Sequence, residues 1–552
     1  MKMRSPLFSL CLILSLLLPG LAFAQSAEKP LTKAEASGFT ATSRQADVMD
    51  FIRDLQRLSP RVRVEILGVS TEGRPIPMLI IGDPVPASPQ DLNYSDKLVI
   101  YFQANIHAGE VEGKEASLML ARDLALGEAS RFLDKLVVLI VPDFNPDGNE
   151  RISPDNRSDQ AGPEQGVGVR ANGQNLDLNR DGMKLESPEV KGLVQNVMQR
   201  WDPAVLLDSH THNGSYHEEV VTYVWSLNPN GDRSLISYMS DVFSPGVDKI
   251  LKDKHNTLCI PHGDFMSTEE PEKGWAPLGP EPRYISNYIG LRNRLGILNE
   301  NYPYAPFKDR VMGAYRLFLS ISEYGQAHAA DIRSLIREAD RRTVSRGMRP
   351  TEQDTFGVEF DVRPIGRKIT VHGYEMETYT AENGRRGTRK TDRTQTYTMP
   401  FYSDYFATRT VRLPYAYLIP RPIPEVKALL ERHGVCVETL VEPTRLSVES
   451  FFVTKLEGQA QPYQGHRLNR VKGEYKQAEV EFPAGTLVVT LAQPLANVAS
   501  SLLEPESDDG LVVWNFFDRY LVQQWSQAPQ VYPVYKLFTP ALLVKDTDRG
   551  DR

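Results

Sequence analysis

The stretch "KLVIYFQANIHAGEVEGKEASLMLARDLALG", residues 97–127, decides the fold. Its first part is an apolar, β-branched and aromatic run of strand length. From Glu112 onward apolar residues return at helical spacing. A buried strand feeding an amphipathic helix through a short turn is half of a β–α–β unit. The turn carries His107 and Glu110, three residues apart. That spacing alone settles nothing, because a second copy, His372-x-x-Glu375, stands in "VHGYE". The second copy lies in a strand pattern, where an offset of three sends side chains to opposite faces. It is expected to be inert.

The same alternation continues on both sides. "KLVVLIVPDF" reads as a second strand, "SPEVKGLVQNVMQRW" as a helix and "AVLLDSH" as a third strand. "RLGILNE" is another buried strand, and Lys308 to about Arg342 reads as helix. The pattern predicts an α/β domain with a mainly parallel or mixed sheet and flanking helices. Such sheets bind ligands at the carboxyl ends of their strands. His107, the turn Asn145-Pro146-Asp147-Gly148, and Ser209-His210 all fall at such ends. Beyond residue 345, "KITVHGYEMETYT", "TRTVRLPYAYLIP" and "AEVEFPAGTLVVTL" alternate with period two, with one helix candidate, "PEVKALLERHG". The expected division is a leader over 1–24, an α/β domain over 25–345 and a separate, mostly β domain over 346–552.

The leader, "MKMRSPLFSLCLILSLLLPGLAFA", places Lys2 and Arg4 before an apolar core and ends on Ala-Phe-Ala. That is the layout of a secretory signal peptide, and the core is too short for a bilayer span. Export to the periplasm or medium is expected, with no stable membrane insertion after cleavage. Removing Lys2 and Arg4 takes the net charge from -8 to -10, which argues against nucleic acid as a partner. Cys259 and Cys436 remain; two buried thiols are expected rather than a disulfide framework. The sequence leaves the oligomeric state open.

A catalytic zinc ion takes three protein ligands and keeps one open position. His107 and Glu110 can supply two from one turn. "VLLDSHTHNGSYH" offers the third at a neighbouring strand end, His210 being nearer the strand than His212, with Asp208 able to orient a ligand.

"IHAGE", "NPDGNERIS", "NLDLNRDG", "LDSHTH" and "LGILNENYPYAPF" follow one another in an order that resembles the zinc carboxypeptidases of the carboxypeptidase A type, over roughly residues 45–340. The resemblance implies one zinc per chain, held by His107, Glu110 and His210. It implies that Asn179 and Arg180 hold the free carboxylate of a peptide substrate, a task suited to a guanidinium's paired hydrogen bonds. It implies Glu300 as the general base and an arginine at the oxyanion, with Arg157 matching best and Arg151 and Arg170 nearby. A mobile tyrosine is implied too, Tyr288 or Tyr284, with Tyr288 preferred. Read on their own, Arg180 could instead pair with Asp177 or Asp181, and Glu300 with Arg294 or Arg310.

The chain departs from the family's digestive members in Asp181, in a long Gly-rich loop after the Asn-Pro-Asp-Gly turn, and in its β domain. The expected activity is hydrolysis of the C-terminal peptide bond. The alternatives are a zinc amidohydrolase acting on acylated amino acids or cell-wall stem peptides, and a metal-free binding protein.

Overall fold

The computed structural model describes residues 29–212, 214–380, 386–421, 423–522 and 530–546. The signal-peptide reading falls on residues 1–24 and lies outside the described residues. Among these, no helix is long and apolar enough to cross a membrane.

Ten strands come from the first part of the chain: β1 Val62–Val69, β2 Pro75–Ile81, β3 Leu98–Ala104, β4 Leu136–Val141, β5 Val205–Thr211, β6 Val221–Trp225, β7 Cys259–Pro261, β8 Asp264–Phe265, β9 Trp275–Ala276 and β10 Leu295–Asn301. Eight of them form one sheet in the order β1-β2-β4-β3-β5-β10-β6-β7. Its centre is parallel, through β4, β3, β5 and β10. Antiparallel pairs β1–β2 and β10–β6 make it mixed. The central strands are buried on both faces, which is why they read as continuous apolar runs.

Period-two alternation divides their side chains between two cores. Leu98, Ile100, Phe102, Val138, Val205 and Leu207 face the helices Glu112–Leu126 and Phe307–Ala327. Tyr101, Val137, Leu139 and Leu206 face the opposite way, onto a core that also holds Leu193, Ile289, Tyr417, Leu429 and Val489. The helix expected over 308–342 is two helices, Phe307–Ala327 and Ala329–Met348, broken at His328.

The C-terminal part is mostly β, as its patterning predicts. A long hairpin, β11 Thr355–Thr380 and β12 Arg386–Arg412, joins β9 and β8 in a four-stranded sheet, with Phe401 opposite Trp275. A further sheet is built from β13 Ala416–Ile419, β14 Glu438–Leu440, β15 Thr444–Gly458, β16 Asn469–Phe482, β17 Leu487–Thr490, β18 Gln530–Val531, β19 Tyr535–Leu537 and β20 Lys545–Asp546. The helix Pro424–His433 packs beneath it. Both cysteines are free; Cys259 is half-buried and Cys436 exposed, so the expectation of two buried thiols is corrected.

The second His-x-x-Glu copy splits as its strand setting requires. His372 bonds Glu219 across to the first domain, and Glu375 pairs with Arg393 on the neighbouring strand.

Candidate active site

Sheet register assembles the site. β5 and β10 run side by side with Glu300 directly opposite His210. The turn leaving β3 brings His107 and Glu110 to the same edge. All four residues are buried, with exposures of 3% for His107, 2% for Glu110, 1% for His210 and 7% for Glu300.

His107, Glu110 and His210 each offer a ligand atom, all within 4.8 Å of one another. The nitrogens that converge are the two Nδ1 atoms, 3.1 Å apart. Glu110 Oε1 lies 3.1 Å from His107 Nδ1 and Oε2 3.0 Å from His210 Nδ1. Tetrahedral zinc with bonds of about 2.0–2.1 Å separates its nitrogen ligands by about 3.3 Å, so the donors fit that ion. The outward nitrogens both meet carboxylates at 2.9 Å, His107 Nε2 at Asp177 and His210 Nε2 at Asp208. Such partners fix the tautomer that leaves Nδ1 for the metal.

Burial works against the Glu110 charge, yet His107 and Arg157 hold its carboxyl well below the usual range. Burial likewise opposes Asp177, and His107, Arg180 and Arg170 overcome it. Glu300 moves the other way: burial raises its carboxyl, with His210 opposing and Glu110 reinforcing. Its Oε2 has no hydrogen-bond partner among the described residues. The ion pairs that could have explained it go elsewhere, Arg294 to Asp202 and Asp340, and Arg310 to Glu112.

His107, Glu110 and Glu300 line a cleft with a cavity of about 250 Å³. Arg157, Arg170, Asn179, Arg180 and Tyr284 line it as well. Arg157 adopts a left-handed φ of 52° and donates to Glu110 Oε1 at 2.8 Å and to the Thr211 carbonyl at 3.0 Å. Arg170 donates to Asp177 at 2.9 Å. Arg151 pairs with Glu72 and does not line the cleft. Asn179 accepts from the Ile285 backbone N–H, tying it to the cleft wall. Arg180 lies 3.8 Å from Asp177 and stacks over the Tyr284 ring at 4.5 Å, while Asp181 is taken by Lys184 and Ser187.

Tyr288 is placed differently from expectation. It is fully buried, its hydroxyl 2.8 Å from His433 Nδ1 and 2.9 Å from Arg292 Nη1. It belongs to the core shared with the helix Pro424–His433, and Tyr284 is the ring that reaches the cleft. The Asn-Pro-Asp-Gly turn is structural too. Asp147 clamps Ser70, Glu72 and Arg74. A Cβ on Gly148 would sit 2.7 Å from the Val169 carbonyl oxygen.

Sequence reading missed Asp177 as the partner of His107, having weighed it only against Arg180. It also missed Gln464, whose side-chain carbonyl accepts the Asp177 N–H at 2.8 Å from the distant β15–β16 loop. Asp177→Asn should weaken metal binding by about 10–100-fold, the usual cost of losing a carboxylate behind a ligating imidazole. Competition with a chromophoric chelator measures it; unchanged affinity would deny Asp177 that role.

A mixed α/β sheet thus carries at its strand ends a buried His–Glu–His donor set and a glutamate with one oxygen unpartnered among the described residues. Residues 48–216 match the family described as zinc carboxypeptidase. It is 22% identical to Carboxypeptidase 2 of Trichophyton rubrum over 524 residues, 89% of this chain and 88% of that protein. It is 30% identical to Carboxypeptidase D of Homo sapiens over 163 residues, 28% of this chain and 11% of that protein. A metallo-carboxypeptidase crystal structure from Burkholderia cenocepacia superimposes with a TM-score of 0.38 at 19% identity, covering 51% of this chain and 69% of that one.

Proposed function

We propose that the protein is an exported zinc carboxypeptidase that removes single residues from the free C-terminus of peptides. The observation that carries this reading is Glu300, buried and with Oε2 unpartnered among the described residues, on the strand next to His210 in a cleft that also holds three arginines. His107, Glu110 and His210 would hold one zinc, leaving a position open toward the cleft. When bound, zinc supplies the Lewis acidity that makes water nucleophilic near neutral pH and polarises a carbonyl. Glu300 takes a proton from the attacking water and passes it to the leaving amine. Its burial raises the carboxyl, which favours holding that proton between the two transfers. The Arg157 guanidinium donates to the oxyanion as it develops. Asn179 and Arg180 position the terminal carboxylate, with Tyr284 stacked on Arg180. Residues 25–345 form the catalytic unit, and residues 346–552 a β unit that braces it through Gln464.

The cleft wall selects the side chain. Val224, Trp225, Leu227, Leu278 and Leu298 line it, and Glu110 and Glu300 are its only carboxylates among the described residues. Both carboxylates have roles, so a basic side chain finds no fixed counter-charge. Burying a large apolar side chain is worth about 1.5–3 kcal/mol. Peptides ending in Leu or Phe should therefore be cleaved with kcat/KM about 10–100-fold above those ending in Lys.

A peptide library read by mass spectrometry tests both statements. Half of its members carry free C-termini and half are amidated. Loss of one residue from the free half alone, stopped by a zinc chelator, is expected. Cleavage of neither half overturns the reading in favour of acylated amino acids. Export is tested by the mature N-terminus, expected at Gln25.

A further inference from the structure

A second set of two histidines and a glutamate adjoins the cleft, which His212 and Glu300 line. His212, His262 and Glu300 each offer a ligand atom, all within 4.8 Å of one another. Three such atoms lie no more than about 2.8 Å from a common centre, within 1 Å of a zinc bond length of about 2.0–2.1 Å. The sheet builds this set as it builds the first. His212 is two residues beyond His210, and Glu300 is opposite His210 on β10. β6 pairs with β10 on its far side, and His262 continues the β6–β7 pairing with its N–H on the Tyr223 carbonyl at 2.9 Å.

The local bonding prepares His262 as a ligand. The Thr222 hydroxyl donates to the Glu300 backbone carbonyl at 2.7 Å. Its oxygen is thereby left to accept from His262 Nδ1, 3.4 Å away. A proton held on Nδ1 leaves a lone pair on Nε2, the form a metal takes. His262 is 1% exposed, and neither its Nε2 nor Glu300 Oε2 has a hydrogen-bond partner among the described residues. Two buried polar atoms without partners are costly unless something binds there. Asp264, with both oxygens 3.1 Å from His212 Nε2, holds the remaining ring, as carboxylates hold metal-bound imidazoles.

We propose that His212, His262 and Glu300 form a second site for a divalent transition ion. Two imidazoles and one carboxylate suit zinc and its neighbours rather than magnesium or calcium. The site draws on the carboxylate read above as the general base, and to that extent its effect on turnover rests on that reading. A carboxylate bound to an ion cannot accept a proton, so filling the second site silences the enzyme while the first site stays loaded. Free metal concentration thereby sets the active fraction.

The test is metal content of the full-length mature protein after dialysis against buffered free zinc, measured by mass spectrometry of the metal beside turnover of a free-C-terminal peptide. The wild type should bind two equivalents, the second more weakly, with turnover falling as the second fills. His262→Asn should bind one, and its turnover, at whatever level it starts, should not fall with added zinc. Asp264→Asn should weaken the second equivalent by about 10–100-fold. His107→Asn should lose the tight equivalent instead. Retention of the tight equivalent and an unchanged circular-dichroism spectrum establish that the His262 variant is folded; His212→Asn supplies an independent variant. Saturation of the wild type at one equivalent, or two equivalents in both the His262 and His212 variants, would overturn the second site alone. No bound zinc in the wild type would overturn the first site as well.

Discussion

Glu300→Gln should keep the tight zinc equivalent and lose turnover, with kcat reduced by about 10²–10⁴-fold, the range in which positioned proton transfer contributes. The exchange is nearly isosteric and neutral, so the β5–β10 register and the cleft shape should survive it. Glu300 stands beside the His107–Glu110–His210 set and is no part of it. What the variant loses is a basic oxygen, and an amide cannot accept the proton of the attacking water. Burial already raises the Glu300 carboxyl, so removing its charge costs the fold little and can relieve an unpartnered group. Metal content by elemental analysis, kcat on a free-C-terminal peptide and the melting temperature separate the outcomes. Full activity in a zinc-loaded variant would remove Glu300 from the mechanism. Loss of zinc would make it a ligand of the first site.

What could be read from the sequence followed contiguity. The strand over Leu98–Ala104 and the helix over Glu112–Leu126 adjoin in the chain, so a buried run and a 3.6-residue period defined both, and His107 and Glu110 came with the turn. His210 and Glu300 sit at the ends of apolar runs whose burial is visible residue by residue. Long-range partners decided what could not be read. Tyr284 caps one short helix, Ile285–Leu291, and Tyr288 lies within it, and the packing of Tyr288 on His433, 145 residues away, takes it out of the cleft. Arg151, Arg157 and Arg170 lie in a stretch without period. The pairing of Arg151 with Glu72 keeps it out of the cleft, which Arg157 and Arg170 both line. His262 follows a strand of only three residues, too short to carry a pattern. The break at His328 likewise leaves the apolar spacing on both sides intact, so one helix was expected where two stand.

The second large effect is expected from His210→Ala, which should abolish binding of the tight zinc and turnover together. Three protein ligands are the minimum that a catalytic zinc site usually retains, and this change leaves His107 and Glu110, two ligands from one turn. It also disturbs the surrounding charges. Asp208, fully buried, loses the imidazole at 2.9 Å and keeps Gln103 at 3.0 Å. Glu110 keeps Arg157 and the Thr211 N–H, so it stays partnered. A buried carboxylate stripped of one of two partners costs about 1–3 kcal/mol, enough to lower the melting temperature without unfolding a domain whose sheet is otherwise intact. His210→Asn, which restores a donor toward Asp208, should recover much of that stability without recovering metal. The pair of variants therefore separates ligation from packing. Calorimetry should rank wild type above Asn above Ala, whereas the tight zinc equivalent and activity should be absent from both variants. A zinc-loaded, active His210→Ala protein would refute the ligand assignment, and the pairing of β5 with β10 would then serve only to bury a histidine beside Asp208.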